Sequence, residues 1–173
     1  MLKTIAQIIG FIPLVLSAVI FLSDDRKKVL YMKMLSDGLY GLHFFLLGAP
    51  TGAVMGVVNV IRGYVFSKKG EKGVNGYHIP ILFCCINLLS AVLSWEGIRS
   101  LFPCVGSSLA IVGFWCNDIQ SVRKYTFCGI ALWVVYGVMT GSISVVIANT
   151  LSLISIAVAS IKYVKKQKEQ IQE

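Results

Sequence analysis

Charge is scarce in this 173-residue chain: 14% of positions are Asp, Glu, Lys or Arg, and only eight are acidic. Soluble domains carry about 25% charged residues, so a solvated globular surface is excluded. Imidazole is nearly absent, with His43 and His78 the two histidines. No H-E-x-x-H occurs, and the acids stand mostly in loops or in the tail. The chain therefore lacks the paired carboxylates, activated nucleophile or metal cluster that an enzyme requires, and neither catalysis, a metal nor a cofactor is expected. Cysteine is present five times, at Cys84, Cys85, Cys104, Cys116 and Cys128, without a C-x-x-C and in odd number. That pattern excludes a zinc or disulfide framework and leaves packing thiols. The net charge of +8 comes from short basic clusters between apolar blocks, with no RNA- or DNA-binding motif beside them, which argues against a nucleic-acid partner.

Apolar sequence dominates instead: 56% of the residues are hydrophobic and the mean hydropathy is +0.77. The apolar blocks recur to the end of the chain, so a cleaved signal peptide accounts for little of them. A lipid bilayer is the expected surrounding. A membrane-spanning helix needs about 20 largely apolar residues, and breaks at charge clusters and Gly/Pro turns divide the chain into seven segments. They cover residues 4–22, 31–47, 50–66, 79–95, 100–116, 127–139 and 142–162, the sixth beginning near Lys124. Two connections, Gly48-Ala49-Pro50 and Thr140-Gly141, are short enough to be tight turns at one surface.

Basic residues set the expected orientation, because Lys and Arg in short loops favour the cytoplasmic side. Fourteen fall on one side, including Arg26, Lys33, Arg62, Lys69, Lys72, Arg123 and the tail lysines, against Lys3 and Arg99 on the other. With seven spans this places the N-terminus outside and the C-terminus in the cytoplasm. The tail KYVKKQKEQIQE reads as this anchor and a solvated helix end.

Folding the chain at its fourth span makes the halves correspond: span, charged loop, span, uncharged turn, span, basic exit. The expected architecture is all-α and polytopic, with seven transmembrane helices as two parallel triple-helix bundles joined by a linker helix. Residues 1–70 form the first bundle, 71–97 the linker, 98–164 the second bundle and 165–173 the tail. An odd linker makes the two triplets run in the same direction, as in transporters built from parallel repeats. At an offset of ninety, Asn59 falls on Asn149 and His43 on Trp133. Each residue then lies about eight residues from its turn, roughly 12 Å in, near the middle of a core about 30 Å thick. Amides at that depth face a bundle interior or a wet cavity. Gly52, Met55, Asn59 and Arg62 share one helical face, and Ser142, Asn149, Ser152 and Ser160 share another. Close helix packing through small residues is the alternative use of such faces. An Asn at matching depth in both halves points to the cavity.

The stretch LWVVYGVMTGSISVVIAN, residues 132–149, looks like the second and third helices of a SWEET/SemiSWEET-type triple-helix bundle. GLHFFLLGAPTGAVMGVVNVIRG, residues 41–63, resembles the corresponding stretch of YgjV-type bacterial inner-membrane proteins. The chain is thus similar to a YgjV-type member of the SWEET/PQ-loop (MtN3-like) superfamily, over nearly its whole length in span order and specifically in these two stretches. The resemblance implies a SWEET-like small-solute transporter. In it Trp133 and Asn149 line a central pocket, Asn59 is the partner amide, and His43 stands where the pattern has a second Trp. The Pro-Gln pair of the PQ-loop families is missing: the chain has FLSDD at residues 21–25 and FWCND at 114–118, while Pro13 and Pro103 lie elsewhere in the two first helices. A scaffold or regulatory protein on the same fold is the alternative, since fold does not dictate function.

Arg62 completes the expected site, either in the pocket or snorkelling to the cytoplasmic edge. Asp37 lies at similar height, about twelve residues from the same turn. If Asp37 neutralises Arg62, a neutral polar solute is favoured; if it faces Lys33 instead, the free arginine draws an anion. The paired, neutral case is the expectation. His43 reads as a pocket wall or a satisfied interior histidine in preference to a proton relay, because no carboxylate in the sequence stands at its depth.

Overall fold

The computed structural model describes residues 2–69 and 74–172, with side chains omitted at 2–8, 17–18, 166 and 169–172. Of the charges used to orient the chain, Lys72 lies outside the described residues, as do the side chains of Lys3 and Lys166. Every regular element among the described residues is helical. Seven α-helices follow one another: α1 (Leu2–Val19, continued by a 3₁₀ turn, Ile20–Leu22), α2 (Arg26–Leu47), α3 (Pro50–Ser67), α4 (His78–Leu93), α5 (Leu101–Trp115), α6 (Ile119–Met139) and α7 (Ile143–Gln172).

The helix ends have local causes. Asp25 caps α2 by accepting from the Lys27 and Lys28 N–H groups, and Asp118 caps α6 by accepting from Ser121 N at 2.7 Å. Each satisfies orphan donors of a first turn. The hydrogen bond from Ser121 N–H is the largest influence holding the Asp118 carboxyl below its ordinary range. This cap also starts α6 at Ile119, about five residues before the start near Lys124 expected from sequence. Gly48 ends α2 at φ 72°, Pro50 opens α3, and Gly141 turns α6 into α7 at φ 69°. Positive φ at these two turns suits glycine, which carries no Cβ penalty there.

Six helices close into a ring in the order α1, α2, α3, α5, α6, α7 and back to α1, each packing on its two neighbours. The seventh, α4, lies outside the ring against α3 and α5. Asn87 ties it there, donating to Cys104 O at 2.8 Å and hydrogen-bonded to Ser108 Oγ at 2.9 Å. The helices α2 and α3 meet through Gly41 and Gly56, where a Cβ on Gly56 would stand 2.4 Å from the Gly41 Cα.

Polarity runs inside out. Val15, Phe45, Val57 and Leu88 are exposed at 69%, 71%, 60% and 60%, whereas Asp37, His43, Asn59, Arg62, Asn87 and Arg123 are buried. Large exposed apolar surfaces need a cover, and buried polar groups need partners. The expected seven spans are matched in number by seven helices, but among the described residues only two segments are of membrane length and strongly apolar, Ile98–Trp115 and Ile143–Lys165. Ile9–Leu22 and His78–Leu93 are apolar but shorter. The other helices, α2, α3 and α6, carry Asp37, His43, Asn59, Arg62 and Arg123 on buried faces, and these lower their average hydropathy. All five cysteines are free.

Candidate functional site

The ring encloses a cavity of about 40 Å³, lined from α2, α3, α5, α6 and α7. That is room for about three waters, since a single water needs roughly 10–15 Å³ by this measure. Asn59, Arg62, Trp133 and Asn149, four of the residues singled out from sequence, all line it. His43 does not. It is fully buried beside α1 and α7, with Nε2 2.7 Å from Ser142 Oγ and 3.4 Å from Ser144 Oγ.

The reason lies in the register of the two halves. The capping aspartates Asp25 and Asp118 are ninety-three positions apart, as are the turn glycines Gly48 and Gly141. At this offset Tyr40 corresponds to Trp133, and His43 to Tyr136. Tyr40 and Trp133 both line the cavity, so the aromatic that answers Trp133 is Tyr40. Asn59 is eleven positions past its turn glycine and Asn149 eight past its own. At 1.5 Å per residue they differ in depth by about 4.5 Å, and Asn59 answers to Ser152, which is buried. The two amides share a cavity without sharing a level.

Aromatic rings form the end of the cavity nearer the glycine turns. Phe44 stands 5.9 Å from Trp133 and 5.3 Å from Tyr136 between ring centroids, and Trp133 meets Tyr136 edge-on at 5.7 Å. Beyond them Tyr136 accepts a hydrogen bond from Gly52 N at 3.0 Å and donates to Glu96 Oε2 at 3.0 Å. Tyr136 thus joins α6 to the start of α3, while its counterpart His43 joins α2 to the start of α7. Both bonds cross between the halves.

The opposite end is ionic. Asp37 Oδ1 takes the Lys33 ammonium and Asp37 Oδ2 lies 3.6 Å from Arg62 Nη2. The alternatives read from sequence are therefore both realised, with one carboxylate divided between two cations. Arg62 also lies over the Phe114 ring at 5.2 Å, a favourable cation–π position. Beyond this group two arginines again cross between the halves. Arg26, the first residue of α2, donates to Phe114 O and Cys116 O at the end of α5. Arg123, in α6, donates to Phe21 O at 3.1 Å, Ser23 O at 3.5 Å and Asp24 Oδ1 at 2.8 Å after the end of α1. Lys69 joins the first group through Trp115 O and the Trp115 ring. Burial, with Arg26 close by, pushes its ammonium pKa down. Cations at helix C-termini satisfy orphan carbonyls and complement the dipole.

Tyr40, Phe44 and Tyr136 are site residues that the sequence reading does not single out; Lys33 enters it only as an alternative partner of Asp37, and Arg26 and Arg123 only as orienting charges. For Arg123 a signal exists: once Asp118 is read as an N-cap, Arg123, Thr126 and Ile130 fall on one helical face with Trp133.

A protein whose described residues are all-helical in their regular structure, with an apolar exterior and buried polar side chains around an interior cavity, belongs to the class of membrane proteins. Residues 4–167 match the family described as Bacterial inner membrane protein, Imp-YgjV, and the chain belongs to that family. It is similar to the inner membrane protein YgjV of Escherichia coli (strain K12), 19% identical over 139 residues that cover 80% of this chain and 73% of the relative. No solved structure matches it. Family membership places the chain in a bacterial inner membrane, surrounded by lipid.

Proposed function

We propose that the chain is a small-solute carrier, with seven spans arranged as two parallel triple-helix repeats, 1–70 and 98–164, about a linker, 71–97. In this reading it is SWEET-like, non-enzymatic, and oriented with its N-terminus outside and its basic tail, 165–173, in the cytoplasm. The observation that carries the proposal is the cavity inside the helix ring, largely apolar but with Asp37, Asn59, Arg62 and Asn149 in its lining, and with hydrogen bonds between the halves beyond each end of it. Polar side chains deep in a membrane protein mark substrate pathways, and parallel-repeat transporters keep their sites between repeats. In this reading a cavity of about 40 Å³ is a narrow state of the carrier, and a solute enters when one set of cross-half bonds opens. His43–Ser142 and Tyr136–Gly52 form one gate; Arg26 and Arg123 form the other.

Uptake of a broad panel of labelled solutes into proteoliposomes tests this. Wild-type protein should accumulate at least one solute above empty vesicles, and Trp133→Ala and Asn149→Ala should each reduce that uptake on the order of tenfold while purifying normally, the loss expected for one good contact. A cytoplasm-only fluorophore fused to the C-terminus should be bright. A protein that moves nothing and instead co-purifies with a stoichiometric partner is the scaffold of the alternative reading.

A further inference from the structure

We infer that the cavity takes a small carboxylate-bearing monoanion, seated against Arg62. The inference rests on reading the cavity as a solute site and adds the solute's charge. Among the charged residues lining it, Lys33 and Arg62 face a single carboxylate, Asp37. The lining therefore carries one positive charge more than negative. An expectation of neutrality assumes that Asp37 serves Arg62 alone, and Lys33 takes half of it.

The condition of Arg62 points the same way. Its side chain is 3% exposed, and its 3.6 Å approach to Asp37 is too long for a hydrogen bond. Its Nε and Nη1 have no hydrogen-bond partner among the described residues. A buried guanidinium with unfilled donors is costly, and arginine cannot relieve the cost by losing its proton. The Phe114 ring offsets part of this and satisfies no N–H. Two further cavity groups, Ser107 Oγ and Thr126 Oγ1, also lack partners among the described residues. Hydroxyls and guanidinium together are a donor set for a carboxylate, which accepts through two oxygens and carries the missing charge. Asp37 Oδ2 is likewise without a hydrogen bond, so a hydroxyl on the same solute would have an acceptor. A short hydroxy acid therefore fits both halves of the chemistry, and the narrow cavity favours three carbons over six.

The test uses the full chain with matched probes: labelled glycerate and gluconate as monoanions, erythritol and sorbitol as neutral polyols. Proteoliposome uptake and equilibrium binding to the detergent-purified protein are both measured. Glycerate should bind and be taken up at least about tenfold faster than erythritol, the ratio expected from one charged hydrogen bond. Arg62→Gln should abolish that preference and Arg62→Lys should keep part of it, while Thr126→Val should weaken glycerate binding several-fold. Uptake of the polyols with no uptake or binding of the acids overturns the anion inference and leaves the carrier reading standing. Glycerate binding that depends on Arg62 with no uptake of any probe supports the anion site and contradicts the carrier. Absence of anion binding to correctly folded wild-type protein overturns the inference whatever the variants do.

Discussion

Tyr136 concentrates more of the account than any other residue. Its hydroxyl accepts from Gly52 N and donates to Glu96, both at 3.0 Å, while its ring closes the aromatic end of the cavity against Phe44 and Trp133. Removing that oxygen leaves a buried N–H unpaired, which costs about 1–3 kcal/mol. Tyr136→Phe should therefore lower the thermal stability of the purified protein measurably, and under the gate reading it should also raise the leak of solute through empty-trans vesicles. An unchanged melting temperature would contradict the structural role; a lower one with unchanged leak would contradict the gate. At this scale Trp133, Asn149, Asn59 and Arg62 are legible in the sequence, because polar and amphipathic side chains in apolar helices are conspicuous. Tyr40 and Tyr136 are not, since tyrosine in a membrane segment also serves as an interfacial anchor. His43 is conspicuous for the wrong reason: its polarity is consumed by the serines that open α7, away from the cavity.

Helix pairing depends on contacts that hydropathy does not report. Capping aspartates and turn glycines recur at a spacing of ninety-three positions, whereas the Asn pair suggests ninety, and a slip of three residues turns a helical face by about 60°. That error moved the first-half aromatic from Tyr40 to His43. Caps and turn glycines are the better guide, because backbone geometry constrains them more tightly than cavity lining does. Close approach is the second such contact. With a Cβ on Gly56 placed 2.4 Å from the Gly41 Cα, no flexible side chain is there to yield, so Gly56→Ala must push α2 and α3 apart. Overpacking of this kind costs about 1–3 kcal/mol. The variant should melt earlier than wild type and lose glycerate binding, since Asp37 and Arg62 sit on the two separated helices; unchanged stability would contradict the observed packing.

For the whole molecule, helical class, element order and residence in a membrane are readable from composition and periodicity, and the inner membrane follows from the family. The assignment of seven spans is less so, because α2, α3 and α6 spend their polar residues on the ring interior and look less apolar than a helix facing lipid on all sides. The central claim is that the enclosed cavity communicates with both sides of the membrane in turn. A single cysteine replacing Ser107, a buried cavity residue, in a background with the five native cysteines removed, reports this directly in oriented vesicles. A membrane-impermeant maleimide should label it from either side, more slowly than a loop cysteine, and glycerate should protect it. Labelling from one side only, or from neither, would contradict a pathway through the ring.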